Sequence, residues 1–396
     1  MEKVIDSFKT IRAAFLIAGT TIGAGMLGIP LVTAGFGFFP AFLITICVWG
    51  FMLLTGLLLL EAALHLPEGG NFLSLSKRYL GSSGQVVTGI LFIFLYYFLM
   101  IAYFAVGSSL LGSLFFKNLP HGMTIFLFGL FFFLIVARGP YWIDRVNFIL
   151  TIAMGILWIV LMTTGIKDVS IGQLSEYKFS GLLGATPILF SAFGYHNIIP
   201  SLVTHLNKDV KSLRTAVITG TLIPLVVYVL WQMFIIGVIP IEVIEETKNA
   251  GLPITSALRS ITNMPWISLL GQGFALIAIV TSVLGVSFSL VDFLADGLQM
   301  KRIGKSRVFL TCITFFPPCV CAYFNPDIFK IALGIAGGIG EGLINGIIPV
   351  ALVWSVRYLY KDQSSYTVFG GKPLLYLLLF IAIVVIGTEV QHLRIL

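Results

Sequence analysis

One stretch constrains this chain more than any other: Gly19-Thr20-Thr21-Ile22-Gly23-Ala24-Gly25-Met26-Leu27-Gly28-Ile29-Pro30, in the middle of the first strongly apolar segment. The segment is long enough to cross a membrane. Its centre nevertheless holds four glycines, two threonines and a closing proline where a regular span would carry Leu and Val. Each glycine costs roughly 1 kcal/mol of helix propensity, and a proline removes a backbone donor. In hydrocarbon the freed N–H and C=O groups have no water to bond. Irregular backbone is tolerated there only where it is buried in protein or lines a cavity. The stretch therefore predicts a helix broken at membrane depth around a polar site.

Composition supports the membrane setting. Of 396 residues, 58% are hydrophobic and only 10% charged, where a soluble domain carries about a quarter charged residues. There is too little polar surface for a water-soluble globule, and the chain reads as an all-α integral membrane protein. The net charge of +7 comes without a basic run long enough to bind nucleic acid. The cysteines Cys47, Cys312, Cys319 and Cys321 lie in or near apolar segments without metal-ligand spacing, and a small buried hydrophobe is the default role of each. Lys3, Lys9 and Arg12 before an apolar run also fit a secretory signal, but eleven such runs favour an uncleaved first span.

At about 20 apolar residues per crossing, eleven spans fall near 11–34, 37–62, 86–115, 122–137, 146–166, 181–203, 215–239, 265–295, 307–324, 328–356 and 373–390. The connection 67–85 reads as a short interfacial helix. With the N-terminus inside, 17 of the 24 Lys and Arg fall in inner loops, the asymmetry of a cytoplasmic N-terminus and an outer C-terminus. Spans 1 and 6 then run in opposite directions. Span 6 carries its own interruption, Phe190-Ser191-Ala192-Phe193-Gly194-Tyr195-His196-Asn197-Ile198-Ile199-Pro200. Two interrupted segments at matching places in two inverted halves mark the substrate site of a secondary transporter. The expected architecture is one transmembrane domain, 1–396. It has a first five-helix repeat at about 11–166, a second at about 181–356, and one extra helix at about 373–390.

Several residues carry candidate chemistry. In span 1 the uncovered amides of Gly23, Ala24 and Gly25 open a half-helix whose positive end suits a carboxylate, with Thr20 and Thr21 adding hydroxyls. Close small-residue packing is the alternative, since Gly19-x-x-x-Gly23 fits it too. In span 6, Phe190, Phe193 and Tyr195 flank Ser191, Gly194, His196 and Asn197, and aromatics beside a break suit a flat apolar ligand. His196 fits either the cavity or a structural hydrogen bond. Tyr103, mid-way along span 3, fits a cavity wall or interhelix glue. Thr281 and Ser282 of span 8 lie roughly 24 Å from its outer end at 1.5 Å per residue. They could face freed carbonyls of span 1 around a small hard cation, or bond back to their own helix. Of the carboxylates in apolar segments, Glu61 and Asp292 lie near inner ends, where snorkelling or loop ion pairs suffice. Glu341 sits deep in span 10 within Gly334-Ile335-Ala336-Gly337-Gly338-Ile339-Gly340-Glu341-Gly342, and is the candidate coupling carboxylate. Its glycines would permit close approach to span 1 or an unwound turn. No phosphate loop, paired-His metal motif or nucleophile elbow is present in the sequence, so no enzyme activity and no cofactor is expected.

The Gly19–Pro30 stretch, Phe193-Gly194-Tyr195-His196-Asn197-Ile198-Ile199-Pro200, and the run from Ser282-x-Leu284-Gly285-Val286 to Asp292-Phe293-Leu294-Ala295-Asp296-Gly297 resemble the bacterial tryptophan/tyrosine permeases, in particular the tyrosine-specific transport proteins. The resemblance implies an eleven-helix inner-membrane symporter with the fold of the bacterial leucine transporter, driven by protons. Sodium-coupled relatives carry an Ala-x-x-Thr-Ser run matched here by Ala278, Thr281 and Ser282, with Gly19 and Ile22 as carbonyl donors. Some proton-coupled relatives place a lysine on span 5, and none lies between Asn147 and Gly165 here. The expectation is an importer of aromatic amino acids, tyrosine before tryptophan, with a proton or sodium as its partner ion. A channel, an exporter, a branched-chain amino acid carrier and a membrane enzyme or sensor are the rivals.

Overall fold

The computed structural model describes residues 2–66, 71–175, 178–250, 252–257, 265–362 and 366–395, and every regular element among them is helical. In chain order these are α1 (Glu2–Thr21), α2 (Gly25–Thr33), α3 (Phe38–Ala63), α4 (Phe72–Phe115), α5 (His121–Arg138), α6 (Pro140–Gly165), α7 (Ile171–Ser175) and α8 (Thr186–Ala192). They continue with α9 (Ile199–His205), α10 (Val210–Val238), α11 (Ile241–Asn249), α12 (Pro265–Gly297), α13 (Gly304–Phe324), α14 (Phe329–Gly334), α15 (Ile348–Trp354) and α16 (Gly371–Ile395). Ten described helical segments are long and apolar enough to cross a membrane, and the bent pair formed by α1 and α2 makes an eleventh.

The spans match the expected ones to within a few residues, with three instructive differences. First, α4 is longer than its span because it merges with a surface helix across a kink at Gly81, where φ is +73°. Only glycine adopts that conformation without strain. The surface helix is started by a capping box, in which the Asn71 side chain accepts from Ser74 N–H and the Ser74 hydroxyl accepts from Asn71 N–H. The interfacial helix expected over 67–85 thus exists from Phe72, and 67–70 lie outside the described residues. Second, the connection after α10 contains α11, which turns Ile244 inward. Third, Ile335–Ile347, between α14 and α15, winds with the wider π-helical turns that recur at functional sites.

Large apolar side chains such as Phe148, Ile149 and Ile156 of α6 are exposed. A water-soluble protein would bury them, whereas lipid solvates them. The interior is closed by small residues. Gly220 of α10 sits on the backbone of Ala14 and on Ile17 of α1, and a Cβ there would meet the Ala14 carbonyl oxygen at 2.7 Å.

Charges gather at the end of the bundle where α3 finishes. Glu61 takes both Nε (2.6 Å) and Nη2 (2.5 Å) of Arg357, and its second oxygen also accepts from Val368 N–H at 2.8 Å. Removing one partner of such a buried pair costs about 3–5 kcal/mol. Asp292 lies 3.6 Å from Arg302, which also pairs with Asp296. Asn71 ties the surface helix to α12 by donating to Asp296 at 3.0 Å. Asp209 caps α10, and its hydrogen bond to Ser212 holds its carboxyl below the ordinary range.

Candidate functional site

Span 1 breaks over Ile22, Gly23 and Ala24, and the two half-helices meet at 58°. The freed Ala24 N–H donates to Ser282 Oγ of α12 at 2.9 Å, and Ser282 itself donates to Ala278 O at 2.9 Å. Two glycines make this possible. A Cβ on Gly23 would collide with Ser282 Oγ, and one on Gly25 would lie 2.6 Å from the Ala192 Cα of span 6. The break and the close packing are therefore one device. Gly19 takes no part in it, since it is exposed with open space where a Cβ would stand.

The hydroxyls expected to serve a ligand are engaged locally. Thr20, exposed, donates to Leu16 O at 2.8 Å, and Thr21, buried, donates to Ile17 O at 2.8 Å. Thr281 donates to Ala278 O at 3.0 Å. Both hydroxyls of the Thr-Ser pair thus bond back to their own helix, and Ser282 faces an amide of span 1. Ile22 is half-buried at the break.

Span 6 breaks over Phe193, Gly194 and Tyr195, between the end of α8 and a tight turn at His196–Ile198 that leads into α9. Phe190 and Phe193 are fully buried. Phe190 packs on Phe51 at 4.9 Å, and Phe193 meets Tyr228 edge-on at 5.1 Å. Tyr195 and His196 turn toward α3: the Tyr195 hydroxyl donates to Met52 O at 3.1 Å, and His196 Nε2 lies 2.9 Å from Thr55 Oγ1. His196 Nδ1 and Ser191 Oγ are buried and have no hydrogen-bond partner. Asn197 donates to Ser289 Oγ of α12 at 3.2 Å.

Glu341, buried in the π-helical segment, is the group that stands against this second break. A Cβ on Gly194 would strike its Oε1, and Asn345 donates to its Oε2. Tyr96 and Tyr103 of α4 lie within electrostatic reach of the carboxylate, and the Tyr103 phenol also faces Ser282. The glycines around Glu341 do allow a close approach, but the partners are not span 1, and the turn widens rather than unwinds. Gly337 presses on Pro187 O of α8, Gly340 on Leu95 of α4, and Gly338 on Glu389 of α16.

The structure thus brings Gly23, Ala24, Ala278 and Ser282 together on one side, and Gly25 and Glu341 against Ala192 and Gly194 of span 6 on the other. Gly19 and Thr20 stay on an exposed face, and His196 is held by α3. Three groups lie outside the residues singled out from the sequence. Tyr228 places its hydroxyl 2.7 Å from Thr21 O and 2.9 Å from Ala192 O. Gln232, one turn later and fully buried, donates to Thr45 Oγ1 at 3.0 Å and accepts from Thr33 Oγ1 at 3.1 Å. Glu389 is buried over Gly334 and Gly338. A glutamine in an apolar helix could have been flagged by the cost of burying an unpaired amide. Glu389 fell in the last turn of an expected span, where acids are common.

Comparison with known proteins places the architecture. The model of the tryptophan/tyrosine permease family matches residues 7–389. The chain is 30% identical over 385 residues to "Tyrosine-specific transport system 1" of Haemophilus influenzae, covering 95% of each chain. It is 31% identical over 383 residues to "Tryptophan-specific transport protein" of the same organism, covering 91% of each. Among solved structures, "Crystal structure of MhsT in complex with L-phenylalanine" aligns with a TM-score of 0.67 at 16% identity, over 96% of this chain and 97% of that one. At that identity the likeness is one of fold, the leucine-transporter-type fold with discontinuous first and sixth spans.

Proposed function

The chain belongs to the tryptophan/tyrosine permease family, and from that membership we propose that it is a secondary active importer of aromatic amino acids, L-tyrosine before L-tryptophan, driven by protons. It is a multi-pass membrane permease and not an enzyme. The observation that carries the reading is the meeting of two helix breaks, Ile22–Ala24 and Phe193–Tyr195, with a buried carboxylate beside one and a hydroxyl beside the other. A zwitterion suits such a centre. The positive end of α2 receives the carboxylate at the Gly23–Gly25 amides, and carbonyls and hydroxyls of spans 6 and 8 receive the ammonium. Phe190, Phe193 and Tyr103 supply the aromatic wall, and Glu341 is the proton carrier.

Spans 1–5 and 6–10 form the two inverted units, and spans 1, 2, 6 and 7 rock against the others. The charge asymmetry of the loops supports a cytoplasmic N-terminus and an outer C-terminus, and family membership supports the bacterial inner membrane. Sodium coupling is the second reading, favoured by Ala278 and Ser282 standing opposite the first break with Thr281 beside them in sequence. The purified protein in liposomes, given labelled tyrosine, tryptophan, phenylalanine and glutamine under pH or sodium gradients applied separately, tests both. Tyrosine accumulation under an inside-alkaline pH gradient, without sodium, is expected. Accumulation of glutamine alone would overturn the substrate class, and a strict sodium requirement would overturn the proton.

A further inference from the structure

Two helices end at one oxygen. α1 closes at Thr21 and α8 at Ala192, and a helix C-terminus carries roughly half a negative charge on its last carbonyls. Both helices direct a terminal carbonyl at the phenol of Tyr228, at 2.7 and 2.9 Å. Tyr228 is fully buried, braced edge-on by Phe193. Its own carbonyl accepts from Gln232 at 3.3 Å, and Gln232 in turn links α2 and α3. The side chain is therefore held at the crossing by packing and by a buried polar seam.

A phenol has one proton and donates to one carbonyl at a time. Among the described residues, the second carbonyl of the pair, buried at this crossing, has only a shared proton to answer it. Unwound carbonyls and half-helix C-termini are the groups that coordinate coupling cations in transporters with broken helices. The electrostatics of this crossing suit a small cation, yet a side-chain O–H fills it. We propose that the Tyr228 phenol occupies a cation position between the two breaks, so that its proton, and no metal ion, clamps the ends of α1 and α8 at the width the substrate needs. Tyr228 is a positioning residue and not an ion carrier. The proposal borrows the transported amino acid from the reading above, but its decisive measurement needs no substrate.

That measurement compares wild type with Tyr228→Phe in detergent, following the thermal midpoint as choline chloride is replaced by lithium, sodium or potassium chloride at constant ionic strength. The variant keeps the ring on Phe193 and frees both carbonyls, so its midpoint should rise saturably with one of these cations while the wild-type midpoint stays flat. In liposomes its KM for tyrosine should rise about tenfold in choline, with Vmax within twofold, and return to within threefold of wild type in that cation. A cation response no larger than that of wild type overturns the proposal, whatever uptake shows. If wild type transports no aromatic amino acid but the midpoints diverge, the substrate reading fails and the Tyr228 assignment stands. Should Tyr228→Phe not fold, p-aminophenylalanine at 228, which keeps an N–H donor, should match wild type in both measurements. A tenfold higher KM, or a cation response, in that variant also overturns the proposal.

Discussion

The two breaks reach the same centre by opposite means. Span 1 opens by subtraction: Gly23 and Gly25 have no side chains, so α12 and α8 come within contact of bare backbone, and one hydroxyl, Ser282, answers the freed Ala24 amide. Span 6 opens by addition: Phe193, Tyr195 and His196 are large, buried, and packed or bonded to Tyr228, Met52 and Thr55. The side chains of the second break thus fasten it to α3 and α10, the same helices that Gln232 ties to α2. Among the described residues the breaks meet the rest of the bundle through two hydrogen bonds, Ala24 to Ser282 and Asn197 to Ser289, through the Gly194 backbone against Glu341, and through close packing of α8 on Gly337 and Gly338. The contrast teaches where motion is cheap. One group of spans is cross-bonded internally, and its boundary with the other runs past a serine and a carboxylate.

That contrast can be broken at several points. The largest effect is expected from Gly25→Val, whose side chain would meet backbone of Ala192 that has no room to yield. Uptake should fall at least ~100-fold, well beyond ordinary overpacking, and near-normal uptake would refute the subtractive account of the first break. Next is Glu341→Gln. Accumulation of tyrosine should collapse to about the outside concentration, and the pH dependence of uptake should flatten, while tyrosine exchange continues. Unchanged accumulation would remove Glu341 from coupling. Third, Ser282→Ala leaves the Ala24 amide without its partner, a loss of about 1–3 kcal/mol, read as a rise in KM of roughly 5- to 150-fold. Fourth, Thr55→Val removes the partner of His196 Nε2. It should lower Tm by a few degrees, as a loss near 1 kcal/mol does, with KM within threefold, because His196 acts as an anchor to α3. The smallest effect belongs to Gly19→Ala, where nothing lies within 4 Å, and uptake should stay within twofold.

How much of this was legible in the residues follows from what kind of information each part needs. Span positions depend on local apolar runs, so Phe38–Ala63 and Gly304–Phe324 came out within three residues of the expected 37–62 and 307–324. The breaks were legible because glycine and proline cost helix locally. The neighbours of Glu341 were not. Its glycine run signals close approach but does not say to what, and the answer is α8, α4 and α16 rather than span 1. Tyr228 was invisible in principle: its partners lie 207 and 36 residues away, and a tyrosine in an apolar helix has the same spacing whether it packs or bridges. The hydroxyls of Thr20, Thr21 and Thr281 show the converse limit, because spacing alone does not decide where a threonine donates. Helical threonines bond to the carbonyl a turn back by default, and all three do.

A structure of the protein determined with tyrosine bound is the most direct test of the claim that the two breaks enclose one substrate site. The account predicts the ligand carboxylate on the amides of Gly23–Gly25, its ammonium toward carbonyls and hydroxyls of spans 6 and 8, and its ring against Phe190, Phe193 or Tyr103. Tyrosine seated away from both breaks, with Ala24 still bonded to Ser282 and Gly194 still closed against Glu341, would contradict it.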